Sequence, residues 1–482
     1  MPVGMGRFHM RFRRAGDCAA PMRPFSSLPS PFRALRLLAA FLALAVWAIQ
    51  PAAAQSVLRD AETEALLHDM ATPLIKAAGL DPHNVDVVLV GDNEINAFVM
   101  NGQTVYLNAG LINAADSANQ VQGVIAHELG HVTGGHAITG EQGAKTAGTI
   151  SLLSVLIGVA AAAAGGGDAA MAAMMAGQSA AMGKYLAFSR VQEAQADAAG
   201  ASFLAKAGIS GRGSIEFFKK LEAEGYKRGY SQADQDTFMS SHPLESDRIA
   251  LLEESYKKDP AWNRASDPAL EARFRRAKAK LYGYLAEPED TLKAYPERDT
   301  SVPARYARAY AFHKEALMDK AMGEIDALLK DAPADPYFLE LKGQIMMEAG
   351  KPAEALAPLR RATELTGNQP LIATTFGHAL VATEDPKNLP EAQRVLKAAV
   401  ARDRENPDAW YQLGVVYNAT GDAPRARLAS AEQQVMQQQW PLALGSAEAA
   451  LAGLPAGSAD ALRAQDIAMQ ARAAIERQKK RK

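Results

Sequence analysis

A repeat of 34 residues in the C-terminal part of the chain constrains the fold more than any other feature of the sequence. Gly343 and Gly377 are 34 residues apart, as are several pairs of alanines and prolines, and the next step, to Gly414, is 37 residues. Three additional residues near 385–388 would explain the longer step. A period of 34 residues with small residues at fixed phases is typical of tetratricopeptide repeats. About four repeats fit within residues 303–482, and a chance match within a helical bundle is the alternative.

The length and composition predict a mainly α protein with several domains. A chain of 482 residues is too long for one ordinary domain. It is rich in Ala, Leu, Glu, Gln and Lys, and only 7% of its residues are aromatic, which favours helix over sheet. We predict an export signal at 1–54, an α+β domain at 55–260, a linker with one helix at 261–302, and an α-helical repeat solenoid at 303–482.

The first 54 residues have the pattern of a secretory signal peptide. Seven arginines precede an apolar run at residues 37–49, which Pro51 and three alanines at 52–54 follow. An uncleaved membrane anchor is the alternative, although the run is short for one. The one cysteine, Cys18, lies in this segment, so the exported chain would contain no thiol. Export without thiols favours the bacterial periplasm.

The charge of the chain argues against a nucleic-acid partner. The formal net charge is −2, but residues 1–54 carry seven Arg and one Asp, so the remaining chain has a net charge of −8. A mildly acidic body does not offer the basic surface that nucleic acids require. We therefore expect no nucleic acid among the partners.

The sequence HELGH at residues 127–131 predicts a metal site. We expect it on a helix that begins near Asn119, after a helix, a short strand and a hairpin around 97–107. His127 and His131 are four residues apart, so both imidazoles lie on one helical face and can bind one metal ion. Glu128 lies beside them, where its carboxylate can take a proton from a water molecule that the metal activates.

A catalytic zinc ion requires a third protein ligand, and the residues offer two alternatives. One is a histidine soon after the motif, but the spacing of one large class would place it at Ala137, and His136 comes one residue too early. The other is Glu193, which shares a helical face with Asp197 in a stretch whose alanines suit close helix packing. Glu193 could bind the metal while Asp197 orients a histidine through a hydrogen bond.

Residues 146–183 form an unusually apolar insert with a glycine turn in its middle. We predict two short helices joined at residues 165–168. Each arm is shorter than the roughly 20 residues that span a bilayer. Three alternatives stay open: a hairpin packed over or beside the active site, a flap in peripheral contact with a membrane, and true insertion.

The chain resembles the gluzincin peptidase family that includes HtpX and the CAAX prenyl proteases. The resemblance is carried by HELGH and by SRVQEAQAD at residues 189–197. An export signal precedes these motifs and helical repeats follow them, and this domain order is similar to that of periplasmic metalloproteases of the bacterial envelope. The resemblance implies an α+β zincin-like fold and one Zn²⁺ per chain. Its ligands would be His127, His131 and Glu193, and Asp197 would support them.

Two further segments match the family. The segment Asn96-Ala97-Phe98 corresponds to a strand that pairs with the extended backbone of the substrate. The hairpin after it has Asn101-Gly102 where the family has a proline and paired glycines. The second segment is the His-Pro pair at His242, which is followed by Arg248 as in the family. His242 would donate to the oxyanion of the reaction or occupy the open zinc position, and Arg248 would be a second donor or the partner of an Asp or Glu.

These features predict a zinc-dependent endopeptidase whose general base is Glu128. Polypeptides would be its substrates, and by resemblance these are misfolded or stalled envelope proteins, with outer-membrane barrels during assembly among them. The repeat groove would dock a substrate or an envelope protein partner. The alternative hypothesis is a periplasmic chaperone or scaffold that acts through its repeats, with a rarely used protease site.

Overall fold

The computed structural model describes residues 57–100, 102–163, 167–227, 242 and 246–481, and the predicted export signal lies outside them. Gln55–Lys482 form one compact unit. Most of the described residues are helical, which confirms the prediction of a mainly α protein with a small sheet. The predicted boundaries near residues 260 and 303 stay predictions.

The N-terminal part combines one small sheet with helices. Its elements in chain order are α1 (Ala61–Ala77), β1 (Asp86–Val90), β2 (Ala97–Met100), β3 (Thr104–Asn108), α2 (Ala109–Ala114), α3 (Ala118–Thr133), α4 (His136–Ala163), α5 (Gly167–Ala207), α6 (Arg212–Lys227), α7 (Ser246–Lys257), a 3-10 turn (Pro260–Asn263), α8 (Pro268–Leu285) and α9 (Pro288–Ala294).

The sheet has the strand order β1-β3-β2. β1 runs parallel to β3, and β2 runs antiparallel to it with Phe98 opposite Tyr106, which confirms the predicted hairpin. The rings of this pair stack with their centroids 5.0 Å apart. β2 therefore lies at the edge of the sheet, and it packs beside α3.

Helix α3 carries HELGH through the centre of the N-terminal core. The hydroxyl of Ser117 caps its first turn by accepting a hydrogen bond from the backbone N–H of Gln120. Every residue from Ala118 to His131 is buried. The helix ends at Thr133, and Gly135 has a φ of +63°, a conformation that glycine adopts without strain. The site residues on α3 are therefore held by packing on all sides.

The prediction of two short helices within residues 146–183 is wrong. α4 has 28 residues and α5 has 41, so both extend well beyond the apolar insert. The break between them does fall near the predicted turn, between Ala163 and Gly167. The long helices persist because each internal glycine costs only about 1 kcal/mol relative to alanine, which packing between two helices can offset. No helix in the described part of the chain is long and apolar enough to cross a membrane.

The C-terminal part is a stack of helix pairs, five of them within the described residues rather than about four. Its helices are α10 (Val302–Lys314), α11 (Met318–Asp331), α12 (Pro336–Glu348), α13 (Pro352–Leu365), α14 (Pro370–Ala382), α15 (Leu389–Arg402), α16 (Pro407–Ala419), α17 (Ala423–Met436), α18 (Trp440–Leu451) and α19 (Ala459–Arg481).

The repeat spacing follows from how these helices begin and pack. α12, α14 and α16 each start at a proline, and the intervals between these prolines are 34 and 37 residues. A short 3-10 helix at Pro386–Asn388 occupies the longer interval. A Cβ on Gly343 would lie 2.4 Å from Cγ of Leu359, so only glycine permits this close approach between α12 and α13.

Buried ion pairs connect the N-terminal part to the repeats. Glu62 of α1 is 4% exposed and accepts hydrogen bonds from Arg276 and Lys280 of α8 and from the Tyr306 hydroxyl of α10. Arg276 also pairs with Asp335, the cap of α12, at 2.6 Å. The helix α8 therefore links both parts of the compact unit.

Candidate metal centre and active site

Two histidines of α3 point their Nε2 atoms towards each other. His127 and His131 are one helical turn apart, and these two nitrogens are separated by 3.1 Å. Both side chains are buried. Ring nitrogens this close repel each other unless a proton or a cation lies between them, so the pair is arranged for a shared positive charge.

Glu193 reaches the same place from α5. Its Oε2 lies 3.3 Å from Nε2 of His127, and its Oε1 lies 3.3 Å from Nε2 of His131. The two helices cross at small residues. A Cβ on Gly130 would lie 2.5 Å from the carbonyl oxygen of Ala196, and one on Gly200 would lie 3.0 Å from the carbonyl oxygen of Ala126. This close crossing brings the carboxylate within reach of both rings.

His242 completes the group, although 49 residues separate it from Glu193 in the chain. Its Nδ1 lies 3.0 Å from Oε1 of Glu193 and 3.3 Å from Nε2 of His127. One ligand atom from each of the four side chains His127, His131, Glu193 and His242 lies within 4.8 Å of the others. All four side chains are buried.

The donor set fits a tetrahedral zinc ion. Zinc binds imidazole nitrogen and carboxylate oxygen at about 2.0–2.2 Å, so neighbouring ligands in a tetrahedral site are separated by about 3.3 Å. The separations between His127, His131, Glu193 and His242 range from 3.0 to 3.3 Å for the pairs given above. Three nitrogens and one carboxylate are also ligands that zinc prefers.

The charges around the group favour a cation. Burial lowers the pKa of His127, but the hydrogen bonds and charges of Asp197 and Glu193 outweigh it and raise that pKa to about 10. Burial opposes ionisation of Glu193, but hydrogen bonds from His127, His131 and His242 hold its pKa far below the usual range. Burial is also the main reason that the pKa of His131 is lowered. The site therefore stabilises a buried positive charge beside a permanently ionised carboxylate.

Asp197 and Arg248 lie behind the ligand atoms. Nδ1–H of His127 donates to Oδ1 of Asp197 at 2.9 Å, which leaves the Nε2 lone pair directed at the group. Nη2–H of Arg248 donates to Oδ1 of Asp197 at 2.8 Å and lies 3.1 Å from Oε2 of Glu193. Burial opposes ionisation of Asp197, but Arg248 and His127 outweigh it and lower its pKa. Of the two predicted roles of Arg248, this position favours the partner of acidic residues.

Glu128 is buried with a carboxylate that makes no hydrogen bond to any group in the described part of the chain. Its Oε1 lies 3.6 Å from Nε2 of His242. A fully buried and unsatisfied carboxylate is costly, so a functional reason for keeping it there is expected. Acceptance of a proton from a water molecule is one such reason.

The sequence did not reveal the contribution of His136. α3 ends at Thr133, so His136 does not continue that helix. Instead it folds back, and its Nδ1 lies 3.0 Å from Nδ1 of His131 while its Nε2 lies 3.1 Å from Oε1 of Gln195. The glycine pair before His136 was the signal that the helix ends there.

The predicted substrate strand packs beside α3, and its residues are not among the four candidate ligands. Asn96 and Ala97 are buried, and Phe98 is half-buried on the edge strand β2 next to α3. The backbone carbonyl of Asn96 accepts a hydrogen bond from the N–H of Asn108, which fixes the start of β2 on β3.

A family model and several curated proteins are similar to this chain. Residues 58–256 match the family model described as Peptidase family M48. The chain is 24% identical over 396 residues to the β-barrel assembly-enhancing protease of Yersinia pestis, covering 78% of this chain and 76% of that protein. It is 26% identical over 401 residues to the putative β-barrel assembly-enhancing protease of Vibrio cholerae, covering 81% and 80%.

Among solved structures, the chain is similar to YrrB, described as a TPR protein with an unusual peptide-binding site. The identity is 24% and the TM-score is 0.30, with 37% of this chain and 92% of that chain covered.

Proposed function

We propose that this chain, whose residues 58–256 match the model of Peptidase family M48, is a zinc-dependent endopeptidase of the bacterial periplasm. It would hydrolyse misfolded or stalled envelope proteins, including outer-membrane proteins. The names of the relatives from Yersinia pestis and Vibrio cholerae support this substrate class, and the basic and apolar leader at residues 1–54 supports export. The observation that carries the proposal is the buried group of four ligand atoms with Glu128 beside it.

His127, His131 and Glu193 would hold one Zn²⁺ per chain. When bound there, zinc supplies a Lewis acid that makes water a stronger acid and polarises the peptide carbonyl. Asp197 fixes the tautomer of His127, and Arg248 holds Asp197 and Glu193 in place by ion pairs. Arg248 thus acts as a positioning residue in this proposal.

Glu128 would act as general base. Its carboxylate has no competing hydrogen bond in the described part of the chain, so it is available to a water molecule. It would accept the proton from that water as the oxygen attacks the peptide carbonyl. The same proton would then go to the leaving nitrogen as the peptide C–N bond breaks.

His242 would control access to the site. Its Nδ1 lies among the ligand atoms of the other three residues, where it would take the fourth position until a substrate displaces it. In the alternative role, the ring would donate a hydrogen bond to the oxyanion. These are the two roles that the sequence suggested, and one variant distinguishes them.

Substrate would bind to two surfaces. The edge strand β2 and the preceding Asn96 have no strand on their outer side in the described part of the chain, and an extended peptide at Asn96, Ala97 and Phe98 could add one there. The repeats would dock the rest of the substrate or an envelope protein partner. A cavity of about 870 Å³ lies beside them, and its walls come from the first helix of successive pairs, from α8 and from residues 58–61. Residues that line it include Leu58, Tyr310, Glu340, Thr375, His378 and Tyr411.

The test is degradation of casein, an unfolded protein, by the purified chain from Gln55 onwards in the presence of zinc. Wild type, Glu128→Gln, His242→Ala and the exposed control Glu254→Gln are compared. We expect Glu128→Gln to lose at least about 100-fold in rate while it still binds one zinc per chain, and the control to match wild type. Cobalt and manganese are tested in parallel, because the same ligands accept them.

The result for His242→Ala distinguishes its roles. A faster rate supports occupation of the fourth position, a slower rate supports donation to the oxyanion, and an unchanged rate contradicts both. If wild type binds zinc but cleaves no substrate, the endopeptidase proposal is wrong and the chaperone or scaffold hypothesis takes its place. Client binding to the repeat groove would then be the activity to measure.

A further inference from the structure

The hairpin of α4 and α5 presents its large apolar side chains to the outside. On α4, Leu156 and Ile157 are 56% and 60% exposed, and on α5, Met175 is 64% exposed. Other exposed large apolar residues on the two helices are Leu152, Leu153, Val155, Val159, Met171, Met182, Tyr185 and Leu186. A contiguous apolar surface of this size marks a binding surface rather than ordinary scatter.

The contact between the two helices is made by small residues instead. Ser154 and Ala181 are buried, and Gly158 is also buried. A Cβ on Gly177 would lie 1.9 Å from Cβ of Ser154, so the helices approach at van der Waals distance there. Helices that pack in water place their large apolar residues inside. This hairpin has the reverse arrangement, which is found where the surroundings are themselves apolar.

The width of the apolar surface indicates lipid rather than a protein groove. At 100° per residue, the exposed apolar positions of α4 from Leu152 to Val159 cover an arc of about 200°. A helix that docks in a protein groove needs an apolar stripe only about 100° wide. α5 adds a second outward face, so apolar surface lies on the outer sides of both helices. A medium that surrounds the hairpin on several sides matches this pattern better than one partner surface.

The charges agree with a membrane interface. Between Lys145 and Lys184 the sequence contains one charged residue, Asp168. Both lysines are exposed. Lys145 lies about 27 Å along α4 from its end at Ala163, and Lys184 lies about 26 Å along α5 from its start at Gly167. The two lysines are therefore at almost the same distance from the tip of the hairpin. Cations at the base of an apolar hairpin are suited to lipid phosphates.

We propose that the α4–α5 hairpin inserts into one leaflet of a phospholipid bilayer without crossing it. From Leu152 to the end of α4 at Ala163 the helix rises about 17 Å, close to the roughly 15 Å of hydrocarbon in one leaflet. The longer apolar face of α5, which reaches Leu186, would extend from the hydrocarbon into the headgroup layer. α5 continues from Leu186 to Glu193 with a rise of about 10 Å. The hairpin therefore holds the metal group close to the membrane surface, where it would meet polypeptides at the bilayer. This proposal is independent of peptidase activity.

Vesicle flotation tests the proposal with the purified chain from Gln55 onwards, which lacks the apolar leader. The vesicles contain phosphatidylethanolamine and phosphatidylglycerol at about three to one. The test variant combines Leu156→Gln, Ile157→Gln and Met175→Gln. The matched control combines Leu442→Gln, Leu462→Gln and Met469→Gln, which replace equally exposed apolar residues of the repeats. Circular dichroism and zinc stoichiometry show that both variants are folded.

We expect wild type and the control to float with the vesicles, and the affinity of the test variant to fall at least about tenfold. Wild type that stays unbound, or a test variant that floats like the control, would overturn the proposal. Sedimentation without vesicles tests whether a second copy of the chain covers the apolar face instead of lipid. If wild type dimerises and the test variant does not, a second copy of the chain covers this face and the proposal is wrong.

A fluorescent label gives a second measurement that does not rely on loss of binding. The chain after residue 54 contains no cysteine, so Leu156→Cys and Leu462→Cys each provide a single labelling site. An environment-sensitive dye at position 156 should shift to shorter wavelength when vesicles are added, and the dye at position 462 should not. Equal spectra at both positions would contradict insertion.

Discussion

The Nδ1 atoms of His131 and His136 lie 3.0 Å apart, so one ring donates a hydrogen bond to the other. The hydrogen bond at Nε2 of His136 shows which of the two rings is the donor. Its Nε2 lies 3.1 Å from Oε1 of Gln195, which can only accept, so Nε2 carries the proton. Nδ1 of His136 then accepts from Nδ1–H of His131, and the Nε2 lone pair of His131 is left for a metal. Gln195 and Asp197, two residues apart on α5, thus orient the two histidines of α3.

His136→Ala should weaken zinc binding, because His131 loses the partner that fixes its tautomer. Loss of such a supporting residue typically lowers metal affinity by about 10- to 100-fold. Competition with a chromophoric chelator measures the affinity. His68→Ala removes an exposed histidine of α1 and serves as the control. Equal zinc affinities for the two variants would show that His136 has no part in the site.

Gly130→Ala should damage the metal site although the change adds one methyl group. The new Cβ would lie 2.5 Å from the carbonyl oxygen of Ala196, so α3 and α5 must separate and Glu193 must move away from the histidines. We expect lower zinc affinity and a loss of stability of about 1–3 kcal/mol in urea unfolding. Gly183→Ala on α5 meets no atom within 4 Å and should be neutral or stabilising. Unchanged zinc binding in Gly130→Ala would refute the importance of this crossing.

Glu128→Gln should raise stability while it removes activity. The carboxyl group is fully buried and has no hydrogen-bond partner in the described part of the chain, and an amide of the same shape costs about 1–3 kcal/mol less to bury. Urea unfolding in the presence of a chelator measures this without a contribution from bound metal. A less stable variant would indicate that Glu128 supports the fold rather than the reaction.

Glu62→Ala should destabilise the whole compact unit. The change leaves Arg276, Lys280 and the Tyr306 hydroxyl without a shared acceptor at a site that is almost fully buried. Breaking such a buried ion group costs about 3–5 kcal/mol. Calorimetry should show a lower Tm and separate transitions for the two linked parts. Glu254→Ala, at an exposed pair on α7, should leave the Tm unchanged, and the same result for Glu62→Ala would contradict the coupling.

Glu340→Gln should change the pH dependence of stability. The pKa of Glu340 is raised to about 8, mainly by burial; the charge of Lys280 opposes the increase, and the charges of Asp60 and Glu62 add to it. The folded state therefore binds this proton more tightly than the unfolded chain. Its contribution to stability is fully present below the unfolded pKa of 4.5 and is lost as the pH rises through about 8.

Glutamine keeps the neutral shape at every pH, so the Tm of Glu340→Gln should match wild type at about pH 5 and exceed it at about pH 9. Thermal unfolding at both pH values measures the difference. Glu354→Gln, an exposed residue of the neighbouring helix α13, is the control. A difference in Tm that does not change with pH would show that Glu340 is ionised throughout.

The sequence alone determined the features that depend on local spacing. Four residues are one helical turn, so His127 and His131 had to share a face, and the 34-residue period had to produce paired helices. The hairpin of β2 and β3 followed from the pair Asn101-Gly102, because Asn-Gly favours a tight turn between two strands. The residues left the third ligand open between His136 and Glu193, because helical spacing can show which side chains share a face but not what that face meets.

Only the tertiary structure decided which distant residues meet. The crossing of α3 and α5 at Gly130 and Ala196 places Glu193 at the two histidines, and His242 meets the same group together with Arg248 of α7. The outward apolar face of the α4–α5 hairpin was equally hidden, because composition reports how apolar a helix is and not which side it buries. Packing between elements far apart in sequence fixes these relationships, and no local pattern encodes it.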